Sequence, residues 1–167
     1  MVTPRAFTFA REQLLGTNAT RQLSTPGFEF PLLVRAPDFH MGQNFVLVDA
    51  EQNLSASLAE LPGGKIIVME YLDGSAPDGN ICKYRVLIVG EPLYPVHLAI
   101  ARHWKVHYFS ADMTDHAEHR AKESRFLCDM EGMLGTKAMK SLQAIQETLK
   151  LDYGGIDFGL NARGEMR

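Results

Sequence analysis

The sequence predicts an α+β protein, one domain over residues 1–167 built from two consecutive α+β units, about 28–72 and about 73–167. Three observations predict it. From Phe28 to Leu72 the patterns run strand, loop, strand, helix, strand, enough to close one core. From Cys82 to Val89 apolar and cationic residues alternate with the period of a half-buried strand, and helical patterns and a late strand follow. No repeat, low-complexity tract or linker interrupts the chain.

Residues 1–27 carry the weakest pattern: a helical turn or two at Arg11–Leu15, a short helix near Thr20–Leu23, and a turn at Pro26-Gly27. Phe28–Ala36 reads as a buried strand with Arg35 near its end. Pro37–Gly42 reads as a loop, and Gln43–Val48 as the returning strand. Asp49 with Gln52 forms a capping-box pattern ahead of Leu54, Leu58 and Leu61, which share one helical face; Pro62-Gly63-Gly64 ends that helix. Lys65–Leu72 is the clearest core strand and runs into a polar loop, Asp73–Asn80. In the second unit, Cys82–Val89 buries Tyr84 and Val86 and turns Lys83 and Arg85 the other way. Leu93–Ile100 and Trp104–Phe109 read as further strands. Asp115 with Glu118 opens a helix to about Met130, and Thr136 opens another to about Lys150, with Ala138, Leu142, Ile145 and Leu149 inward. Gly155–Leu160 reads as a buried strand holding one carboxylate, Asp157, between Ile156 and Phe158. A turn at residues 161–164 and the opening of a return strand at Glu165 follow it.

Composition narrows the function classes. A net charge of −3 gives no electrostatic reason to expect nucleic acid or an anionic membrane as partner. No apolar run reaches the ~18 residues of a membrane span, and Met1–Arg11 lacks a signal-peptide core, so the expectation is a cytoplasmic protein. Cys82 and Cys128 lie outside any metal or redox spacing and read as reduced, mostly buried thiols.

Four features carry candidate chemistry, each with a plainer reading beside it. Arg35 before the loop containing Gly42 suits phosphate, through guanidinium and backbone N–H groups; the same spacing suits an ordinary hairpin. Glu70-Tyr71-Leu72-Asp73, leaving a core strand, could hold a purine edge and a ribose, or be a solvated strand end. Lys83 and Arg85 share one strand face, suited to anionic oxygen or to paired surface acids. Asp157 fits a magnesium ion whose other ligands come from water and phosphates, or a buried carboxylate satisfied by hydrogen bonds. His116, His119 and Glu123 fall at i, i+3, i+7 and could hold a transition metal, but the charge around them reads as a solvated helix face. His97, His103 and His107, around Trp104, are candidates for lining a substrate pocket, with no dyad or triad spacing.

Taken in order, these stretches resemble the ATP-grasp superfamily, most closely its RimK-like and glutathione-synthetase-like carboxylate–amine ligases. Asp78-Gly79 with Lys83-Tyr84-Arg85-Val86, Tyr94-Pro95-Val96-His97-Leu98, Trp104-Lys105-Val106-His107-Tyr108 and Tyr153-Gly154-Gly155-Ile156-Asp157 are similar to a group of bacterial ATP-grasp proteins. The likeness runs from about Phe28 to the last residue. It implies an ATP-grasp fold with nucleotide between two α+β subdomains and the last strand incomplete. It further implies ATP and Mg²⁺ as cofactors, and joining of a small-molecule or peptide carboxylate to an amine through an acyl phosphate. By the same resemblance Arg35 stands where a phosphate-binding Lys usually sits, and Gly42 belongs to the loop over the phosphates. Glu70, Tyr71 and Leu72 contact adenine, and Asp73 or Asp78 lies near the ribose. Lys83 and Arg85 face the phosphates or the acyl phosphate as the catalytic cations, and Asp157 binds magnesium. The resemblance also reads the chain as truncated at both ends, without the family's preceding α/β domain and ending at Arg167 before the strand that usually brings a Glu and an Asn to the metals. That leaves two expectations of function. One is a ligase domain; the other is a non-catalytic nucleotide-binding or interaction module, a truncated relative without the complete metal site. A second copy or a partner chain could supply the missing strand at the open sheet edge.

Overall fold

The computed structural model describes every residue except Met1, Met41, Pro77 and Ala162. Met41 of the expected glycine loop and Ala162 of the expected turn therefore lie outside the described residues. Two units are distinguished, Thr3–Leu72 and Asp73–Arg167 with Val2.

The first unit is a four-stranded antiparallel sheet in the order β1 (Ala6–Ala10), β4 (Lys65–Glu70), β2 (Leu32–Arg35), β3 (Phe45–Val48). Three short helices accompany it: α1 (Arg11–Leu15), α2 (Ala19–Ser24) and α3 (Leu54–Ala59). Phe9, Leu32, Val34, Ile66 and Val68 from the strands meet Leu14, Leu23, Leu54 and Leu58 from the helices in one core. Strand β1 is not predicted by the sequence pattern. Phe9 is buried while Phe7 is 54% exposed, so the segment has only one inward anchor to betray it. Strand β2 begins at Leu32 and not at Phe28, because Pro31 has no N–H to give a ladder. The capping box expected at Asp49 does not form. Asp49 Oδ1 accepts from the Asn53 amide at 2.6 Å, and a 3-10 turn, Glu51–Asn53, precedes α3. Arg11 secures the far end of α3, donating from its guanidinium to the carbonyls of Leu58, Leu61 and Gly63. A cation on the last carbonyls of a helix replaces the partners those groups lack within it.

The second unit is a three-stranded antiparallel sheet in the order β6 (Leu93–Ala101), β5 (Ile81–Val89), β7 (Tyr153–Phe158), with helices α4 (Ala117–Cys128) and α5 (Met130–Leu149). Tyr84, Val86, Leu98 and Phe158 face Phe126, Ala138 and Leu142 across the core. Tyr84 stacks on Phe158 at 5.3 Å and meets Phe126 edge-on at 5.2 Å. Trp104–Phe109 is not a strand; Tyr108–Ser110 is a 3-10 turn. Helix α4 starts from His116 without a side-chain cap, so the box expected from Asp115 is absent as well. Asp129 caps α5 instead, accepting from the Gly132 N–H at 2.9 Å. Leu149 is 51% exposed, not inward, and Cys128 is exposed, not buried.

Helix α5 is interrupted at Gly135, whose φ of 75° and ψ of 166° belong to a region reached essentially by glycine alone. Thr136 thus does start a helical segment, after a break rather than a loop. Gly135→Ala is expected to destabilise the protein by ~1–3 kcal/mol in urea unfolding. The added methyl meets open space, so the effect would come from the backbone and not from a clash.

The edge of β6 is partly occupied. Leu98 N–H donates to Glu123 of α4 at 3.3 Å, and the Ile100 carbonyl accepts from the Asp112 N–H at 2.8 Å. After β7 the chain turns back. Gly159 and Arg167 exchange both backbone hydrogen bonds at 3.0 Å, and Leu160 bridges Met166.

Candidate functional site

Strand β5 sets the site by its pleat. Tyr84 and Val86 are drawn into the core, so Lys83 and Arg85 must project from the opposite face of the sheet. Register then decides what they meet. Arg85 pairs with Asp157 on β7 and with His97 on β6, so three functional groups from three distant stretches form one row. Lys83 Nζ lies 3.1 Å and Arg85 Nη1 3.4 Å from the Asp157 carboxylate. Gly155 makes room for this arrangement, since a Cβ there would sit 3.0 Å from Arg85 Nη2.

Asp157 is not the buried acid that its apolar strand predicts. Its side chain is 40% exposed, because β7 turns Ile156 and Phe158 toward the core and Asp157 away from it. An apolar residue on either side of a strand acid marks the other face, not burial of the acid itself. Two cations meet one carboxylate, so the cluster of Lys83, Arg85 and Asp157 holds one cation in excess. His97 adds a ring tilted against Tyr108, with centroids 4.5 Å apart. Its pKa is lowered mainly by burial, with Arg85 and Lys83 acting in the same direction against Asp157 and Glu123. Burial thus favours the neutral imidazole, which offers one donor and one acceptor. His97 was one of three candidates in the sequence, and only the cross-strand register singles it out. His103 is exposed, and His107 accepts from the Phe109 N–H at 3.4 Å.

Asp78 turns back on its own loop, accepting from the Asn80 backbone N–H and side-chain amide at 3.0 Å each, with Lys122 of α4 at 3.3 Å. The hydrogen bonds from Asn80, then that from Lys122 and its charge, hold the Asp78 carboxyl at about 2. A depressed carboxylate favours the folded state above its ordinary pKa near 3.8, and that contribution is lost as pH falls toward 2. An NMR titration of the Asp78 carboxyl should give a midpoint near 2, moving toward the ordinary range in Lys122→Met. Asp73 accepts from the Ser75 N–H at 2.9 Å; the Ser75 side chain first, and then this backbone bond, lower its pKa.

Arg35, Gly42, Glu70, Tyr71 and Leu72 belong to the other unit. Arg35 Nη2 donates to the Phe39 carbonyl, so the guanidinium braces the β2–β3 loop that contains Gly42. Gly42 has a φ of 70°, the left-handed conformation that this turn requires. Glu70, at the end of β4, receives Arg5, whose Nη2 lies 3.2 Å from its carboxylate. Tyr71 and Leu72 are half-buried at the exit from β4.

No family model and no curated protein matches the chain. Solved structures do. D-alanine–D-alanine ligase from Helicobacter pylori superposes with a TM-score of 0.56 at 12% identity, over 98% of this chain and 46% of that one. The VanG D-Ala:D-Ser ligase from Enterococcus faecalis gives 0.52 at 16%, over 98% and 45%. An N5-carboxyaminoimidazole ribonucleotide synthetase, solved as its ADP complex, gives 0.50 at 16%, over 98% and 38%. The chain thus spans less than half the length of each of these structures.

Proposed function

We propose that this chain, whose fold is that of the ATP-grasp ligases, is an ATP-binding domain for joining a carboxylate to an amine. One observation carries the reading: Lys83, Arg85 and Asp157 converge on the solvent-facing side of β5 and β7, with one cation in excess. Such a face recognises polyanionic oxygen, and the guanidinium can engage two oxygens of a phosphoryl group at once. Asp157 fits a magnesium ion as a half-exposed carboxylate, since magnesium often takes one or two protein carboxylates and fills its shell with water and phosphate oxygens. The ion would supply charge neutralisation of the phosphates there.

In the proposed reaction the γ-phosphoryl group passes to the carboxylate of one substrate, and an amine then displaces phosphate to form an amide-like bond. Lys83 and Arg85 would hold the transferring group and the oxygens that gain charge. Arg35 would act by bracing the loop that bears Gly42, and the backbone of Glu70, Tyr71 and Leu72 would meet the adenine, with Asp73 or Asp78 near the ribose. Any strand contributed by a second copy or a partner would pair more readily with β7 than with the occupied stretch of β6. Two D-alanine ligases and an N5-carboxyaminoimidazole ribonucleotide synthetase of the same fold support the general kind of reaction.

A second reading has a specific observation in its favour. Asp157 already has two cationic partners within 3.4 Å, which suits a nucleotide-binding module without turnover. Calorimetric titration with ATP, with and without Mg²⁺, tests both. Saturable binding that weakens by at least ~10-fold in Lys83→Met/Arg85→Met supports the site. Product formation from carboxylate and amine panels separates the ligase from the module. Absence of nucleotide binding would contradict both.

A further inference from the structure

We propose a second, transition-metal site at the start of α4, formed by His116, Glu118 and His119. It shares no residue with the row on β5 and β7, and it does not depend on the nucleotide reading. The ligand atoms of the three side chains lie within 4.8 Å of one another. What distinguishes them from a solvated helix face is His119, which is only 3% exposed. Its Nδ1 lies 2.6 Å from the Asp112 carbonyl. A carbonyl can only accept, so Nδ1 carries a proton, and in the neutral ring the lone pair is on Nε2. A ring fixed through one nitrogen by a backbone carbonyl, with the other nitrogen left basic, is the outer-shell arrangement of metal-ligating histidines.

The sequence spacing had paired these histidines with Glu123, but Glu123 is turned to the β6 edge. Glu118 takes its place, with Oε1 3.0 Å from His116 Nδ1. The His116 and His119 rings stack at 4.6 Å with 24° between their planes. Bond lengths of ~2.0–2.1 Å and a tetrahedral angle put ligand atoms roughly 3.4 Å apart, so closure needs a rotation of His116 and Glu118. Both are free enough to make it, at 37% and 66% side-chain exposure, while His119 supplies the fixed point. Two imidazoles and one carboxylate, with a position left for water, select zinc or a neighbouring divalent transition ion over magnesium or calcium. Binding would fasten the segment around Asp112 to α4, where Arg120 already donates to the carbonyls of Met113 and Thr114.

The test uses the full chain stripped with EDTA, titrated with Zn²⁺ against a chelating indicator and with Co²⁺ by absorption. The expected result is one tight equivalent, undisturbed by excess Mg²⁺, with Co²⁺ d–d bands and no thiolate charge-transfer band. Affinity should fall at least ~10-fold in His116→Ala and in Glu118→Gln, exposed positions whose change leaves the core intact. Zinc should raise the melting temperature of the wild type and not of either variant. Equal zinc affinity in the wild type and the His116→Ala/Glu118→Gln double variant would overturn the site, as would a thiolate band.

Discussion

Asp157→Asn is expected to invert the metal dependence of nucleotide binding. In the wild type, Mg²⁺ should tighten ATP binding, because in the proposed function Asp157 would offer the ion a charged oxygen and release Lys83 and Arg85 to the phosphates. In the variant, Mg·ATP should bind at least ~10-fold more weakly, a loss of about 1.4 kcal/mol. Metal-free ATP should bind as well as before or better, since both cations are freed from the carboxylate now 3.1 and 3.4 Å away. Stability should change by no more than about 1 kcal/mol, because ion pairs this exposed contribute little. The combination matters. A folding defect would weaken both forms of the nucleotide together, whereas a metal ligand affects them with opposite sign. Calorimetry with and without Mg²⁺, beside a urea unfolding curve, checks all three parts.

The largest stability loss is expected from Phe126→Ala, about 3–5 kcal/mol in urea unfolding. Phe126 is fully buried on α4, edge-on to Tyr84, and Tyr84 in turn stacks on Phe158. These three rings join α4, β5 and β7, so the cavity opens where the helix meets two strands of the sheet. The same contacts determine which way β5 faces: Tyr84 inward is what turns Lys83 and Arg85 outward. The variant should therefore unfold at lower denaturant while its folded fraction retains the nucleotide affinity of the wild type. Weaker binding by a fully folded variant would show that the cluster tunes the site directly.

The strands rich in apolar residues were legible in the sequence because burial imposes its period on them. Lys65–Glu70 and Ile81–Val89 match their expected spans closely, and the Lys83/Arg85 face followed from Tyr84 and Val86 alone. Local rules failed where tertiary partners won. Asp49 and Asp115 have the spacing of capping residues, yet Asp49 is held by Asn53 and α4 opens at His116. Strand β1 is held to the sheet by its ladder to β4, with little hydrophobic pattern of its own. Asp157 shows the limit most clearly. Its period-two neighbours could have placed it on the outer face, but its two cations lie 72 and 74 positions away along the chain, and only register brings them there. The same holds for His97 beside Arg85 and for Glu118 in place of Glu123.

The central claim is that the outer face of β6, β5 and β7 is the nucleotide surface. Titration of the ¹⁵N-labelled chain with Mg·ATP tests it most directly. Saturable shifts are expected at Lys83, Arg85, His97, Gly155 and Asp157, with the inner-face helix positions Ala138 and Leu142 unmoved. Saturable shifts that leave these strand residues in place, or no saturable shift at all, would contradict it.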